Sequence, residues 1–279
     1  VSHQAQGYSS NTGVSGAIKS LIETLAVTGD NVVFPTPTFA LYPVFAQMYN
    51  LEFRMVGYSS DYALDLETLL QSIDDHTTLV FLPNPNMPIE GTLDLKSMSL
   101  IARHCLKHNA YLVIDEVYFL YGGPDAIPMI DKFDNIFIMR SFSKAFGLAG
   151  IRVGYLLGTE KNIDYVSKTR TGYETNSVSM EVASFFIDHF TIVEEYIKSV
   201  KDIIEADFEP QYPLNESVGF TEFPDSRIFL DSTGTHHAHD YVTSGGDVKT
   251  NVNRRNPLQT ASWQMQHRHD RYTQLQIII

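Results

Sequence analysis

Short runs of apolar residues alternate with amphipathic segments along most of this 279-residue chain. Several runs are apolar at almost every position, such as TTLVFL at residues 77–82, YLVI at 111–114 and IFIM at 136–139. A strand of this kind is buried on both faces, which is typical of a parallel sheet covered by helices. The pattern therefore predicts an α/β fold of three layers, α/β/α, around a mostly parallel central sheet.

The same pattern suggests how the chain is divided. Strands are predicted at 31–34, 77–82, 111–114, 136–139 and 153–157, and helices at 15–27, 39–49 and 94–108. A long amphipathic stretch at 180–209 is predicted to leave the large domain. We therefore expect a large domain over 1–178, a connecting helix over 179–208 and a smaller C-terminal α/β domain over 209–279. Because the chain lacks an initiator methionine and stops in an apolar run, we expect it to be incomplete.

Composition excludes several classes of protein. The net charge of −13 argues against nucleic-acid binding, which needs clustered Lys and Arg. No apolar run approaches the roughly 20 residues of a membrane span, and residues 1–7 do not resemble a signal peptide, so a cytoplasmic protein is expected. The single cysteine, Cys105, lies on an apolar helix face and is expected in the core. The histidines at 236, 237 and 239 are interpreted as a solvated loop, and no metal site is predicted.

The most specific motif, SFSKAFGLAGIR at residues 141–152, directly follows a predicted strand. Its chemistry-bearing residues are Ser141, Ser143, Lys144 and Arg152. In open parallel sheets, ligands bind beyond the carboxyl ends of strands. There the lysine can present its amine to a bound aldehyde, while the serines and the arginine bind a phosphate. A glycine-rich surface loop with a solvated lysine is the alternative, and it leaves the ordered run of serines and arginine unexplained.

A second motif, DEVY at residues 115–118, follows the neighbouring predicted strand. The carboxylate of Asp115 can pair with a nitrogen in the ring of a bound aromatic aldehyde and keep that nitrogen protonated. The hydroxyl of Tyr118 can donate to an oxygen on the same ring. Standing alone, an acidic pair after a strand is more often the start of a helix or a metal ligand. The lysine motif on the next strand favours the cofactor interpretation.

Three weaker motifs precede these two along the chain. In NPNMP, the amide of Asn86 can donate to a ring oxygen, although a simple turn is equally good. In TGVSG, Val14 and Ser15 open a helix whose free N–H groups suit a phosphate, although Ser15 could also be an ordinary N-cap. In PTFALY, the ring of Phe39 can stack on a bound ring, with core packing as the alternative.

Together these motifs resemble the fold-type I, class I/II aminotransferases, most closely the histidinol-phosphate aminotransferase branch, over roughly residues 8–208. The resemblance implies pyridoxal 5'-phosphate joined covalently to Lys144, which also acts as general acid and base. It implies an amino donor such as a phosphorylated amino compound, a 2-oxo acid acceptor such as 2-oxoglutarate, and a homodimer. By position, the resemblance implies that Asp115 pairs with the ring nitrogen of the cofactor, that Tyr118 donates to its ring oxygen and that Phe39 stacks on the ring. It implies that the phosphate is contacted by Val14, Ser15, Ser141, Ser143 and Arg152.

The chain departs from the family pattern at informative places. Met87 stands where the family has an asparagine that contacts the ring oxygen, so Asn86 or Asn84 is expected to compensate. Lys249 and Gln276 fall where the family has arginines for the substrate's acidic groups; the arginines at 254, 255 and 271 are the candidates to replace them. Two other functions therefore stay open: decarboxylation of a phosphorylated amino acid with the same cofactor, and a degenerate relative that binds pyridoxal phosphate without catalysis.

Overall fold

The computed structural model describes residues 8–89, 91–170, 172, 174–207, 229–230 and 236–237. Its main sheet contains seven strands: β1 (Tyr8–Thr12), β2 (Asn31–Thr36), β3 (Glu52–Gly57), β4 (Thr77–Pro83), β5 (Tyr111–Asp115), β6 (Ile136–Ser141) and β7 (Val153–Leu157). Their spatial order is β1-β7-β6-β5-β4-β2-β3. All pairs from β6 to β3 are parallel, whereas β7 is antiparallel to both of its neighbours. The prediction of a mostly parallel sheet is confirmed.

Helices cover the sheet. They are α1 (Gly13–Leu25), α2 (Leu41–Met48), α3 (Leu66–Gln71), α4 (Leu95–Lys107), α5 (Ile127–Ile130), α6 (Glu160–Ser167), α7 (Ser177–Asp188) and α8 (Phe190–Asp207). The predicted α4 begins at an N-cap, Asp94, whose side chain accepts from the Ser97 N–H at 2.7 Å. Within the described ranges no helix combines the length and apolarity needed to cross a bilayer.

The core lies on both faces of the sheet. Along β5, Leu112 and Ile114 belong to one buried cluster, and Val113 between them belongs to the other. Cys105 of α4 is fully buried in the first cluster, and this burial raises the pKa of its thiol to about 12. Alternate residues of a strand point to opposite faces, so the continuous apolar run of β5 reports two covered faces. The predicted three-layer arrangement is confirmed.

Two local predictions were wrong. The segment predicted as one connecting helix over 179–208 forms two helices, α7 and α8, which meet at His189. His236–His237, interpreted as loop, form a short strand, β9, paired with β8 (Phe229–Leu230). The rest of the predicted small domain lies outside the described residues, together with Lys249, Gln276 and the three candidate arginines.

Candidate active site

The carboxyl ends of β4, β5 and β6 meet at one edge of the sheet. The N–H of Asn84, just after β4, donates to the carbonyl of Asp115 at 2.9 Å. The N–H of Glu116, just after β5, donates to the carbonyl of Met139 at 2.9 Å. These bonds bring together the three predicted motifs, which are separated along the chain by whole helices.

Asp115 is the buried acid of this edge. One carboxylate oxygen accepts from the hydroxyl of Tyr42 at 2.6 Å, and the other accepts from the N–H of Val117 at 3.1 Å. Burial raises the pKa of Asp115 to about 6, against the opposing effects of the Tyr42 and Val117 hydrogen bonds and the positive charge of Lys144. The carboxylate is therefore close to its titration range near neutral pH.

Lys144 lies in the loop that follows β6, partly buried beside Tyr118. Its Nζ is 5.1 Å from the centre of the Tyr118 ring. The loop turns back at Gly147, whose N–H donates to the Lys144 carbonyl at 2.7 Å and whose φ is +67°. Ser141 holds the start of the loop, because its Oγ accepts from the N–H of Ser143 at 3.0 Å. The lysine amine, Tyr118 and Asp115 are thus neighbours, as predicted.

Met87 occupies the space beside Tyr118. The Tyr118 hydroxyl lies 3.3 Å from the Met87 sulfur, a weak acceptor. A thioether cannot donate a hydrogen bond. Tyr118 is therefore the hydroxyl donor that this side of the site provides.

The two asparagines of the turn after β4 have other partners. Asn84 is bonded twice to the backbone of Leu93, at 2.7 and 3.1 Å. The amide of Asn86 uses its oxygen and both N–H groups within the protein, on Thr38, Pro37 and Tyr58. Both amides therefore hold the turn, and the prediction that Asn86 donates to a ring oxygen is not supported by this geometry.

A candidate anion cradle lies where β7 meets the start of α1. A methyl group added at Gly13 would be 2.9 Å from Nη2 of Arg152, so the guanidinium rests directly on this glycine. A methyl group at Gly154 would be 2.8 Å from the Gly13 carbonyl carbon. Thr12, at the N-cap, makes no side-chain capping bond, and its helix begins at Gly13. The free N–H groups of the first turn and the arginine therefore face the same place.

This geometry places Val14 and Ser15 in the first turn of α1, so Ser15 is not the N-cap. Phe39 lies in the loop after β2, partly exposed, with its ring edge-on to that of Tyr42 at 5.7 Å. Its exposure favours contact with a ligand over core packing. Sequence reasoning missed Tyr42, and the only signal for it was its place at the end of the PTFALY motif.

A buried ion pair fixes the turn that carries these groups. Glu116 is fully buried and accepts from Nε of Arg140 at 2.8 Å and from the Ala126 N–H at 2.7 Å. The guanidinium carbon of Arg140 is 3.7 Å from the centre of the Phe119 ring, and Nη2 is 2.6 Å from Asp125. The second acid of the DEVY motif therefore has a structural role.

These features define a three-layer α/β protein with a candidate ligand site at the carboxyl edge of its sheet, where a lysine, a buried acid and an arginine at a helix N-terminus come together. The model of the family "Aminotransferase class I and II" matches residues 5–212. The chain belongs to this family, and its described fold is that of the fold-type I members.

Individual relatives agree. The histidinol-phosphate aminotransferase of Caldanaerobacter subterraneus subsp. tengcongensis is 30% identical over 203 residues, which are 70% of this chain and 57% of that protein. Histidinol-phosphate aminotransferase 1 of Bacillus cereus is 32% identical over 191 residues, 67% of this chain and 51% of that protein. The chain thus spans slightly more than half the length of these curated relatives.

A solved structure gives the same fold. Histidinol-phosphate aminotransferase from Sinorhizobium meliloti, in complex with pyridoxal-5'-phosphate, has a TM-score of 0.65 and 24% identity, covering 71% of this chain and 55% of that one. The residues of this chain fit such a cofactor on their own chemistry. A buried carboxylate suits a protonated ring nitrogen, and a guanidinium that lies on Gly13 at the start of α1 suits a phosphate.

Proposed function

We propose that this chain binds pyridoxal 5'-phosphate through Lys144 and catalyses transamination. The amino donor is an amino acid or a phosphorylated amino compound of the histidinol-phosphate type, and the acceptor is a 2-oxo acid such as 2-oxoglutarate. The observation that carries the proposal is the convergence of Lys144, Asp115, Tyr118 and the Arg152 cradle at one sheet edge. A homodimer, which the resemblance implies, and a cytoplasmic location are also part of the proposal.

Each side chain has a defined task. When bound, pyridoxal phosphate supplies a protonated ring that withdraws electrons from the substrate's α-carbon. Asp115 holds the proton on the ring nitrogen, and the Tyr118 hydroxyl donates to the ring oxygen. Arg152 and the first turn of α1 bind the phosphate. With the cofactor bound, the Nζ amine of Lys144 would take the proton from the substrate's α-carbon and deliver it to the carbon that was the cofactor's aldehyde, the shift that transamination requires.

Replacement of the lysine tests the proposal. Because a positioned proton-transfer group typically contributes about 10²–10⁴-fold, Lys144→Ala is expected to lose at least that factor in turnover. Borohydride reduction and peptide mapping should find cofactor fixed to Lys144 in the parent and to no lysine in the variant. Lys161→Ala, on the exposed face of α6, is the matched control and should behave as the parent. A variant that turned over at the parent rate would refute the assignment.

A panel of amino donors separates transamination from its alternatives. Histidinol phosphate, aromatic amino acids and phosphoserine are each offered with and without 2-oxoglutarate. Transamination requires the acceptor and forms glutamate from it. Release of carbon dioxide without an acceptor would show a decarboxylase, and cofactor binding without any product would show a non-catalytic relative.

A further inference from the structure

Tyr42 is a fully buried phenol at the beginning of α2. Its hydroxyl donates to a carboxylate oxygen of Asp115 at 2.6 Å, across 73 residues of sequence. Hydrogen bonds to ionised acceptors are short and stronger than those between neutral groups. The bond between Tyr42 and Asp115 is therefore a strong one, and Tyr42 has no role in the proposed reaction as described above.

The packing around Tyr42 leaves its hydroxyl one direction. Its ring is stacked on Phe81 of β4, with centroids 4.8 Å apart and planes at 14°. Phe34 of β2 lies against it at 5.8 Å, and Phe39 meets it edge-on at 5.7 Å. Because aromatic rings hold the phenol on several sides, its oxygen stays aimed at Asp115. The same side chain thus contacts the acid and the residue expected to stack on the cofactor ring.

The carboxylate of Asp115 is held at both oxygens. The Val117 N–H fixes one and the Tyr42 hydroxyl fixes the other. The groups that act on this pair from the surrounding elements are Lys144 after β6, Tyr118 after β5 and Tyr58 after β3. Lys144 is the one cation among them. Removal of the Tyr42 hydroxyl would therefore leave the buried negative charge with fewer stabilising partners.

We infer that Tyr42 is a positioning residue, which orients the carboxylate of Asp115 and keeps it ionised so that it can retain the proton on the cofactor's ring nitrogen. The inference rests on the proposed function for its cofactor. The Tyr42 bond is one of the influences that lower the pKa of Asp115 against the upward effect of burial. Without it, the acid becomes neutral at a higher pH, and a neutral acid no longer holds the ring proton.

The test is Tyr42→Phe, which keeps the stacked ring and removes the hydroxyl. The affinity for pyridoxal phosphate is measured between pH 5.5 and 9 by absorbance titration. In the variant the affinity should fall on the order of tenfold near pH 6.5, as expected for a lost hydrogen bond to a charged group. The loss of affinity should become smaller above pH 8. The fall in affinity on the acid side of the pH profile should therefore occur at a higher pH in Tyr42→Phe than in the parent. Tyr111→Phe, at the opposite end of β5, is the matched control and should leave the profile unchanged.

A cofactor analogue with carbon in place of the ring nitrogen separates this role from a general packing role. That analogue has no proton for Asp115 to hold, so parent and Tyr42→Phe should bind it equally. An equal loss for both ligands at every pH would show that Tyr42 only supports the fold. Identical profiles of parent and variant for pyridoxal phosphate would also overturn the inference.

A measurement without cofactor keeps the inference apart from the proposed function. Urea unfolding of the cofactor-free proteins between pH 4 and 8 reports the titration of Asp115 as the difference in stability from Asp115→Asn. In Tyr42→Phe this titration should move to higher pH, and in Asp115→Asn it should be absent. If the parent bound neither ligand, the proposed function would fail, while an unmoved titration in Tyr42→Phe would overturn the inference on its own. A variant that did not unfold cooperatively would assign Tyr42 to the fold and also overturn it.

Discussion

Burial of the Asp115 carboxylate lowers the free energy of unfolding near neutral pH. Its pKa is raised to about 6 in the folded chain, whereas an exposed aspartate titrates near 4. The folded state therefore binds this proton more tightly than the unfolded state does. The resulting stabilisation is fully present below about pH 4 and is lost as the pH rises through 6, by about 2–3 kcal/mol in all.

Asp115→Asn should remove this pH dependence. We expect the cofactor-free variant to match the parent near pH 4 and to exceed it at pH 8 by up to about 2–3 kcal/mol, while it binds pyridoxal phosphate more weakly. Urea unfolding at a series of pH values measures the first effect and absorbance titration the second. A parent whose stability kept pace with the variant from pH 4 to 8 would contradict the raised pKa.

Gly13 is required by both its backbone and its neighbour. Its φ of +68° is costly for a residue with a side chain, by roughly 1–2 kcal/mol, and a methyl group would press on Arg152 at 2.9 Å. Gly13→Ala should therefore weaken binding of pyridoxal phosphate about tenfold or more, as judged by absorbance titration. Gly57→Ala, where a methyl group meets nothing within 4 Å, is the control and should bind as the parent does.

Some site residues could be predicted from the sequence and others could not. Lys144 and Asp115 each follow an apolar strand, and ligands bind at the carboxyl ends of parallel strands. Local patterns in the sequence were therefore enough to predict that these two residues lie near each other. The contact between Tyr42 and Asp115 depends on β4 lying between β2 and β5 in the sheet, which no local pattern encodes. The hydrogen bonds of Asn86 could not be predicted from a local pattern, because its partners come from loops distant in sequence.

Strands β5 and β6 are connected at the site by the buried pair of Glu116 and Arg140. Removing one partner of a buried ion pair leaves the other charge unpaired, which typically costs about 3–5 kcal/mol. We expect Glu116→Ala to lower the free energy of unfolding by that amount, measured with urea. Asp125→Asn, whose side chain is 55% exposed and contacts the same arginine, should cost about 1 kcal/mol or less. Equal effects of the two substitutions would contradict a structural role for the buried pair.

The predicted strands are those in the middle of the sheet, because burial on both faces leaves a continuous apolar run. The two edge strands were missed. β1 reads YSSNT and β3 reads EFRMVG, with most of its residues partly or fully exposed, so neither has an apolar run to detect. The break between α7 and α8 was missed because the amphipathic period continues through it. There His189 ends α7 with its N–H and Nδ1 at 3.0 and 2.8 Å from the Phe185 carbonyl.

The site joins parts of the molecule that are far apart in the chain. The proposed phosphate cradle comes from α1 and from Arg152 just before β7, the acid from β5, and the lysine from the loop after β6. All of them lie within residues 5–212, the part that matches the aminotransferase family. A ligand that contacts all of these parts can bind only when the sheet is folded. Cofactor binding and folding of this region should therefore be linked.

This linkage gives a prediction for the full chain. A ligand that binds only the folded state, at 100 times its dissociation constant, stabilises a protein by about 2.7 kcal/mol. Pyridoxal phosphate should therefore raise the melting temperature, measured by thermal denaturation of the purified protein. Pyridoxal, which lacks the phosphate, should raise it less, because it leaves the cradle of Arg152 and α1 unused. Lys144→Ala should retain the difference between the two ligands, whereas Arg152→Ala should reduce it. Equal shifts with both ligands in the parent would mean that the phosphate does not bind at the cradle.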